Sequence, residues 1–528
     1  MTRVFFAYPA NRRKLFNSVS KKLTPDNALY GLNHMHLYGI NAQFKDVSSK
    51  LEKLLDFLFL PLHKLFFSQI DFDFKLGRAL LLLPWLNKAD CIVANTDGIA
   101  LAICLLKRLR LVNKPLIYAV GLFYIQGNLK AAIDNEKKSL FFHFYQWLLG
   151  AADQILFHAQ IEKDKLVKMG VYNPAVCTFV PMGSDSAFFN LNKFQKLKKL
   201  ENIVVSVGKD RARDYKTLLE CAKKIPYISF KLVCRKINIA GLNIPNNVKV
   251  YFDLPYIEVA KLYKQASLIV IPIREMHRSS GQMTLTDCIQ CSKPIIISDV
   301  VGVSHYPLKN NVNVIKVAPE NPQLLKNAIL KLLKNNQLRT KLIRNTKTLA
   351  VRYSTKNYAR SVAKTIKFTT DDLRLKPIKK PDLEFMRNLR NQNRNFFIHS
   401  DAISTSEKQA GWFEEYTKKH DDYTFILTKN DTKIGIGAIY NINEKKRNAE
   451  IGRFIIDQKF QGHGHGKILL KKIEELAFSR LGLESLYLEV LTGNKTAVNF
   501  YKKTGFIKQK DILVNGKKVT FMIKKKES

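Results

Sequence analysis

Residues 449–478, AEIGRFIIDQKFQGHGHGKILLKKIEELAF, decide the fold of the last third of this chain. An apolar run typical of a strand leads into a segment with three glycines and two histidines in six positions, and helix-forming residues follow. Glycine lets backbone amides turn inward because no Cβ stands in the way, and the start of a helix adds unpaired N–H groups that attract anions. We therefore predict a strand, a loop that binds a pyrophosphate, and a helix that begins near Lys467.

The spacing of this loop is Gln461-x-x-Gly464-x-Gly466, which differs from the G-x-G-x-x-G of dinucleotide-binding folds. His463 and His465 are an alternative centre, because paired histidines can bind a metal ion. They fill the variable positions of the loop and no further cluster of metal-ligating residues accompanies them, so we expect no metal. We expect exchange of either histidine for another polar residue to have little effect.

A second segment, LEVLTGNKTAVNFYKKTGF at residues 488–506, follows the glycine loop. Taken in this order and spacing, the two segments resemble the GNAT acetyltransferase family. The resemblance implies acetyl-CoA as the cofactor, with its pyrophosphate on the amides of residues 462 to 467. The residues that the resemblance places at the cofactor are Gln461, Gly462, His463, Gly464, His465, Gly466, Lys467 and Asn494.

The resemblance also implies two catalytic side chains. Tyr501 would protonate the thiolate that leaves the thioester, and Glu450 would accept the proton of the attacking amine, directly or through water. Two structural alternatives stay open: an ordinary strand-edge carboxylate at Glu450, and a core aromatic with a satisfied hydroxyl at Tyr501. Residues 385–416 are similar to acetyltransferases that modify amino sugars on nucleotide carriers and to relatives acting on protein N-termini, and in the family this region shapes the acceptor pocket.

The chain before about residue 365 alternates short Val/Ile/Leu-rich runs with segments of helix length. The runs are RVFFAY, CIVAN, PLIYAV and QILFHA, then NIVVSVG, SFKLVC, NVKVYF, LIVIPI and PIIISD. Near-continuous apolar runs of this kind are what a parallel sheet covered on both faces requires. We therefore predict two doubly wound, Rossmann-like α/β domains, with a ligand in the cleft at the carboxyl ends of their strands.

Periodicity is lost around residues 367–380, where charge and proline content rise as in a linker. After it come YTFILTK, KIGIGAIYNI and NAEIGRFIID, with a hairpin expected at TKNDTKIG, and then helices and a further strand. This pattern predicts a mixed α+β domain. We assign residues 1–185 and 186–366 to the two Rossmann-like domains, residues 367–380 to a linker and residues 381–528 to the α+β domain.

Three segments carry a second resemblance: VPMGSDSAFF at 180–189, IVVSVGKDRARDYKTLLECAK at 203–223, and residues 262–307, which include REMHRSSGQMTLTDC. Together they resemble the retaining GT-B glycosyltransferases of family four, over roughly residues 1–365. The resemblance implies a nucleotide-diphosphate sugar as donor, bound without a metal. Fixed positive charge at the leaving diphosphate would come from Lys209 and Arg213, with a solvated basic face as the alternative.

The resemblance further implies that Ser280, Gly281 and Gln282 approach the donor's phosphates or sugar, and that Asp287 holds a ribose or sugar hydroxyl. The family's paired glutamates are not intact, since Ser279 and Asp287 stand at their positions. Glu275, one helical turn earlier, is a candidate substitute. The family's acceptor-side histidine has no counterpart in LIYAVGLFYIQGN at residues 116–128.

The chain of 528 residues has 87 Lys+Arg against 44 Asp+Glu, a formal net charge of +43. This excess indicates an anionic partner, either nucleic acid, a negatively charged membrane surface or phosphorylated substrates, with solvated lysine faces as the alternative. None of the usual basic-arm or RNA-binding signatures accompanies it, so we expect no nucleic-acid partner. The apolar stretch LLDFLFLPLHKLFF at residues 54–67 is interrupted before it reaches spanning length, which leaves a buried helix face or a helix on a membrane surface.

Seven cysteines are scattered, odd in number and absent after residue 291, which excludes a secreted disulfide framework and favours a reducing cytosol. Cys288 and Cys291 have metal-binding spacing but no partner pair, so we expect a structural helix there. MTRVFFAYPANRR at the start has no signal-peptide pattern.

These observations predict a bifunctional cytoplasmic enzyme of bacterial surface-glycan biosynthesis, acting on polysaccharide or lipopolysaccharide. It would transfer a sugar from a nucleotide sugar to a glycan, lipid-linked or amino-sugar acceptor, and acetyl from acetyl-CoA to an amine, in the first place that of an amino sugar. Peripheral association with the inner, anionic face of the membrane would explain part of the net charge. The alternative is a protein or peptide N-acetyltransferase whose glycosyltransferase-like half is an inactive binding module.

Overall fold

The computed structural model describes residues 1–70, 73–119, 140–168, 176–195, 197, 200–276, 279–398 and 404–526. The chain divides into two compact units. Unit 1 comprises Met1–Lys165 and Phe179–Lys367, and unit 2 comprises Leu166–Thr178 and Phe368–Ser528.

Two six-stranded sheets contain the strands described before residue 318. The first has the order β2-β1-β3-β4-β5-β6, and its strands are β1 Thr2–Ala7, β2 Ile40–Gln43, β3 Cys91–Asn95, β4 Leu116–Ala119, β5 Gln154–Phe157 and β6 Cys177–Phe179. The helices of this part of the chain are α1 Arg13–Ser20, α2 Ser49–Leu58, α3 Leu60–Ile70, α4 Leu76–Lys88, α5 Asp97–Arg108, α6 Leu140–Leu149 and α7 Gln160–Lys168.

The second sheet has the order β12-β11-β10-β7-β8-β9, with all its pairs parallel. Its strands are β7 Ile203–Val207, β8 Ser229–Cys234, β9 Val248–Phe252, β10 Leu268–Ile271, β11 Ile295–Ser298 and β12 Ile315–Val317. The accompanying helices are α8 Ser186–Phe189, α9 Asn192–Gln195, α10 Tyr215–Lys223, α11 Tyr256–Gln265, α12 Gln282–Cys291, α13 Pro322–Lys334, α14 Asn336–Ala350 and α15 Thr355–Thr370.

The nine apolar runs quoted from the sequence all form strands of these sheets. Every residue of the central strands β10 and β11 is buried, as expected where helices cover both faces of a sheet, whereas β9 at the edge is mostly not buried. The predicted pair of Rossmann-like folds is confirmed. Cys288 and Cys291 are buried on α12, as expected of a structural helix.

Unit 2 contains a seven-stranded mixed sheet of order β13-β14-β15-β16-β17-β19-β18. Its strands are β13 Leu373–Pro377, β14 Tyr423–Lys429, β15 Thr432–Asn443, β16 Asn448–Ile456, β17 Ser485–Leu491, β18 Ile507–Val514 and β19 Lys517–Lys525. Its helices are α16 Leu383–Gln392, α17 Ser406–Lys418, α18 His465–Glu475 and α19 Lys495–Lys503, and a π-helical turn at Leu476–Arg480 follows α18.

The expected hairpin is present, since β14 and β15 pair antiparallel around Asn430 and Asp431. Both turn residues have positive φ, 46° and 66°, as a two-residue hairpin turn requires. The chain at 367–380 differs from the expected linker. Helix α15 continues to Thr370, and β13 pairs with β14 as an edge strand of the sheet.

None of the helices in the described part of the chain combines the length and the hydropathy that a membrane-spanning segment requires.

Candidate functional site

A cavity of about 1210 Å³ lies in unit 2 where β16 and β17 separate. The two strands pair in parallel only at Asn448–Glu450 against Ser485–Tyr487, although β16 continues to Ile456 and β17 to Leu491. The predicted site residues that line the cavity are Glu450, Gln461, Gly462, Gly464, His465, Gly466, Lys467, Asn494 and Tyr501. The structure thus brings together in one cavity residues that are far apart in the sequence.

The glycine loop presents its backbone to this cavity. Gly462 and Gly464 have φ of +79° and +77°, and a Cβ at either would meet no atom within 4 Å. The amides of residues 462–466 donate to no acceptor among the described residues, whereas the amide of Lys467 donates to the Gly464 carbonyl. Helix α18 begins at His465, two residues earlier than predicted. Residues 462 and 464–467 line the cavity and His463 is not among its lining residues, so the backbone around the start of α18 lies beside the space that an anion would fill.

Side chains on either side of the loop fix its shape. Gln461 Nε2 donates to the Ile456 carbonyl at 2.8 Å, which ties the loop to the end of β16. His465 is buried, and its Nδ1 lies 2.8 Å from the Phe460 carbonyl oxygen. The two histidines therefore differ, because His463 is exposed, with its Nδ1 2.8 Å from the Gln461 carbonyl oxygen. The burial of His465 leads us to expect that its exchange has a larger effect than that of His463.

No group of three or more His, Cys, Asp or Glu side chains suited to a metal ion occurs in the described part of the chain.

The carboxylate of Glu450 is held by two neutral donors. Tyr440 Oη donates to its Oε1 at 2.9 Å, and Asn441 Nδ2 donates to its Oε2 at 2.9 Å. Tyr440 lies directly opposite Glu450 in the antiparallel pairing of β15 with β16. Sequence reasoning missed both donors, because only the register of that pairing brings them to the carboxylate.

Arg453 sits at a bulge in β16, with φ of +56°. Its guanidinium forms a bidentate ion pair with Asp422 at 2.6 and 2.8 Å. It also lies over two rings, 4.7 Å from the centroid of Tyr440 and 5.4 Å from that of Trp412. A Cβ at Gly452 would overlap the Tyr440 hydroxyl. The bulge therefore fixes the ring whose hydroxyl bonds Glu450.

Tyr501 is buried on α19 among the rings of Phe454 and Phe506. Its hydroxyl forms no hydrogen bond with the described residues, which disagrees with the alternative of a satisfied core tyrosine. Burial raises its pKa above the ordinary value, so the phenol keeps its proton near neutral pH. Asn494 caps α19, because its Oδ1 accepts from the Ala497 amide at 3.1 Å.

The remaining cavity wall comes from the start of the domain, from β16 and from β17. Its side chains include two cations, two large aromatics and a second carboxylate, namely Arg390, Arg453, Phe397, Trp412 and Glu489. Residues 399–403 of the segment expected to shape the acceptor pocket lie outside the described residues.

In unit 1, Asp210 joins two of the residues predicted to meet a donor diphosphate. Its Oδ2 accepts from Arg213 Nε at 2.9 Å and its Oδ1 accepts from Ser280 Oγ at 2.6 Å. The Arg213 side chain is buried and also donates to Thr284 Oγ1 at 2.8 Å. Lys209 is half-exposed, with its Nζ 3.4 Å from Asp253.

Gly281, with φ of +74°, caps the start of α12, and Gln282 is the first residue of that helix. Gln282 Nε2 donates to the His158 carbonyl at 3.1 Å and to Ser279 Oγ. These contacts join the loop before α12 to the chain after β5.

Asp287 lies deeper on α12 and is 2% exposed. Its Oδ1 accepts from Asn27 Nδ2 at 3.1 Å and from Ser184 Oγ, and its Oδ2 accepts from Tyr256 Oη. Burial raises the pKa of Asp287 to about 6. The carboxyl group is thus already bonded by three donors of the chain.

Glu162, on α7, was not found by sequence reasoning. Its Oε1 accepts from the Ser279 amide at 3.0 Å, where the family's first glutamate was expected. Burial raises its pKa to about 8. Glu275 lies in the segment before α12 rather than on a helix, and its carboxylate accepts from the Val301 amide at 3.2 Å.

The comparisons with known proteins agree with both resemblances. The sequence model of the Acetyltransferase (GNAT) family matches residues 385–506, and that of the Glycosyl transferases group 1 matches residues 189–349.

Similar proteins fall into the same two groups. Spermidine N(1)-acetyltransferase of Escherichia coli K12 is 24% identical over 135 residues, 25% of this chain and 72% of that protein. An uncharacterized glycosyltransferase of Methanocaldococcus jannaschii is 28% identical over 161 residues, 29% of this chain and 44% of that protein. A crystal structure of spermidine N-acetyltransferase from Vibrio cholerae in complex with CoA and spermine is 25% identical, covers 29% of this chain and 94% of its own, and has a TM-score of 0.27.

The chain therefore joins a region of the group 1 glycosyl transferases to a region of the GNAT acetyltransferases, and it is a transferase of acyl and glycosyl groups.

Proposed function

We propose that unit 2 transfers the acetyl group of acetyl-CoA to a primary amine. The observation that carries this proposal is one cavity lined by Glu450, by Tyr501 and by residues 462 and 464–466, whose amides have no acceptor among the described residues.

The residues present suit the cofactor. The loop offers amide donors and no side chain at Gly462 and Gly464, which is what the close approach of a pyrophosphate requires. When bound, acetyl-CoA supplies the acyl group as a reactive thioester. Its binding residues would be the loop from Gln461 to Lys467 and Asn494 at the start of α19.

Two side chains would move the protons. Glu450 accepts one proton from the acceptor's ammonium group, directly or through water, which frees the nitrogen lone pair for attack on the acyl carbon. Tyr501 would donate its proton to the departing sulfur, and its raised pKa keeps that proton on the oxygen until the sulfur becomes charged. The nitrogen loses its second proton as the amide forms, and that proton would restore the Tyr501 hydroxyl, directly or through water. The products are an N-acetylated amine and coenzyme A.

We propose an amino sugar as the acceptor. The same chain carries a glycosyltransferase region at residues 189–349, so one pathway that handles sugars would use both activities. That pathway would build a bacterial surface glycan in the cytoplasm.

A polyamine is a second candidate acceptor. The similarity to spermidine N(1)-acetyltransferase favours it, as do two carboxylates on the cavity wall, Glu450 and Glu489, which suit a ligand with several positive charges.

We further propose that unit 1 transfers a sugar from a nucleotide-diphosphate donor. Lys209 and Arg213 would neutralise the leaving diphosphate, and Ser280 with Gly281 and Gln282 would present the start of α12 to it. Asp287 would contribute through the three bonds that fix α12 rather than by direct contact.

One experiment separates these acceptors. The protein is incubated with acetyl-CoA and, in turn, nucleotide amino sugars, spermidine and a peptide with a free N-terminus, while mass spectrometry follows acetyl gain and nucleotide release. We expect acetylation of a nucleotide amino sugar and release of a nucleoside diphosphate when a glycan acceptor is added. Acetylation of spermidine alone would replace the amino sugar, and acetylation of the peptide without nucleotide release would contradict both sugar proposals.

A further inference from the structure

Helices α2 and α3 of unit 1 carry a dense group of exposed apolar side chains. We call this group the α2–α3 apolar face, and it consists of Leu51, Leu54, Phe57, Leu58, Leu60, Leu65 and Phe67. Phe57 is 70% exposed and Leu58 is 64% exposed. Soluble proteins usually scatter such side chains singly, so a group of this density indicates a contact surface.

Helix α2 exposes apolar side chains and turns acidic ones inward, the opposite of a helix on a solvated protein surface. Its three leucines in the face are spaced i, i+3 and i+7 and lie on one side. Its two acidic residues lie on the opposite side and are engaged within unit 1. Glu52 is buried and accepts from Arg78 at 2.6 and 3.1 Å, and Asp56 accepts from the Gly77 amide at 3.1 Å. The helix therefore turns its carboxylates inward and its leucines outward.

Helix α3 is anchored beneath the same face. The ring of Phe66 is buried and stacks on Phe74 at 4.1 Å between centroids. The exposed Leu65 and Phe67 flank this buried ring in the sequence of α3, and Leu60 is exposed at the start of the same helix. The face is therefore presented by a helix that unit 1 holds in place.

The charges around the face are positive. Lys50, Lys53 and Lys64 are exposed on the same two helices, while both acidic side chains of these helices are turned toward the protein. A partner must therefore offer apolar surface and negative charge together.

We propose that the α2–α3 apolar face docks on an anionic lipid bilayer, with its leucine and phenylalanine side chains at the headgroup level and the three lysines beside lipid phosphates. A second copy of this chain would bring the same lysines and a net charge of +43, which opposes self-association. Nucleic acid offers phosphates but no apolar surface to cover the leucines.

The test is co-sedimentation of the full chain with vesicles. The wild type is expected to bind vesicles of phosphatidylglycerol and phosphatidylcholine and to bind pure phosphatidylcholine weakly. Leu54→Ser combined with Phe57→Ser should lower binding to the anionic vesicles by about tenfold or more, because two inserted side chains are lost. A matched control, Ile507→Ser with Leu513→Ser, removes equally exposed side chains from unit 2 and should bind like the wild type.

A second variant tests the charges. Lys50→Glu with Lys53→Glu should lower binding to anionic vesicles about tenfold or more. Added salt should lower the binding of the wild type toward the level of this variant. The proposal is overturned if the wild type does not bind anionic vesicles, or if the Leu54 and Phe57 variant binds them unchanged. It is also overturned if that variant instead converts a lipid-free dimer into a monomer, since the face would then join two copies.

Discussion

At the scale of single residues, the chemistry of unit 2 depends on how Glu450 is held. Tyr440 bonds it across the sheet, and Arg453 holds the Tyr440 ring in turn. The sequence pattern predicts a strand at β16 and a carboxylate on it. It does not predict Tyr440 or Arg453 as partners, because a bulge at Arg453 shifts the register that brings them together.

Tyr440→Phe removes one hydrogen bond to the Glu450 carboxylate. We expect kcat for acetyl transfer to fall about tenfold with an unchanged KM for acetyl-CoA, because a bond to a charged group is lost and the loop is untouched. Steady-state kinetics checks this. Tyr487→Phe is the control, since Tyr487 is the register partner of Glu450 on β17 but does not bond it. Equal losses in both variants would contradict a positioning role for Tyr440.

The two histidines of the loop give a matched pair. His465→Ala should lower the free energy of unfolding of unit 2 by about 1–2 kcal/mol, because a buried ring and its contact with the Phe460 carbonyl are lost. His463→Ala should change it by less than about 0.5 kcal/mol, since that side chain is exposed. Urea unfolding measures both, and equal effects would show that burial does not distinguish them.

At the scale of elements, the central strands and the glycine loop could be predicted from the sequence. Their apolar runs and glycine spacing are local signals. The edge strands β2, β6 and β12 were not predicted, because INAQ, CTF and IKV each include polar residues and form no continuous apolar run. Strand β13 was missed for another reason. Its segment RLKP has the charge and proline content of a linker, and it becomes a strand by pairing antiparallel with β14.

Gly464→Ala tests the loop as an anion cradle. The substitution adds a Cβ at a residue with positive φ that lines the cavity. We expect the Kd for coenzyme A to rise about tenfold or more, because backbone N–H groups of the loop lose hydrogen bonds to the pyrophosphate. Gly482→Ala is the control, because Gly482 also has a positive φ of +70° and an open Cβ position but does not line the cavity. Isothermal titration calorimetry measures both, and equal affinities in the two variants would exclude the cradle.

The contact between α7 and the loop before α12 gives a pH prediction. Burial holds the pKa of Glu162 at about 8, above the ordinary value of 4.5 that applies in the unfolded chain. As pH rises, the unfolded chain therefore releases this proton at a lower pH than the folded chain does. The free energy of unfolding is unaffected below pH 4.5 and decreases as pH rises from 4.5 toward 8. Glu162→Gln keeps the acceptor for the Ser279 amide and cannot ionise. The difference between the Tm of this variant and that of the wild type should therefore increase from pH 5 to pH 8 and stay constant above pH 8. A Tm difference that does not depend on pH would contradict a buried, protonated Glu162.

At the scale of the whole molecule, the fold class could be predicted because each domain has its own strand and helix pattern. The substrates could not, because acceptor recognition depends on side chains from distant segments, such as Trp412 and Glu489 on one cavity wall. The net charge of +43 suits a chain whose proposed ligands carry diphosphates and whose α2–α3 apolar face is flanked by lysines.

The central claim is that the cavity of unit 2 performs acetyl transfer with Tyr501 as the proton donor. The most direct measurement is the release of coenzyme A from acetyl-CoA by the wild type and by Tyr501→Phe, with the acceptor that the amine panel identifies, alongside coenzyme A affinity. We expect kcat to fall about a hundredfold in the variant while the Kd for coenzyme A stays unchanged. No release by the wild type with any amine, or equal kcat in both proteins, would contradict the claim.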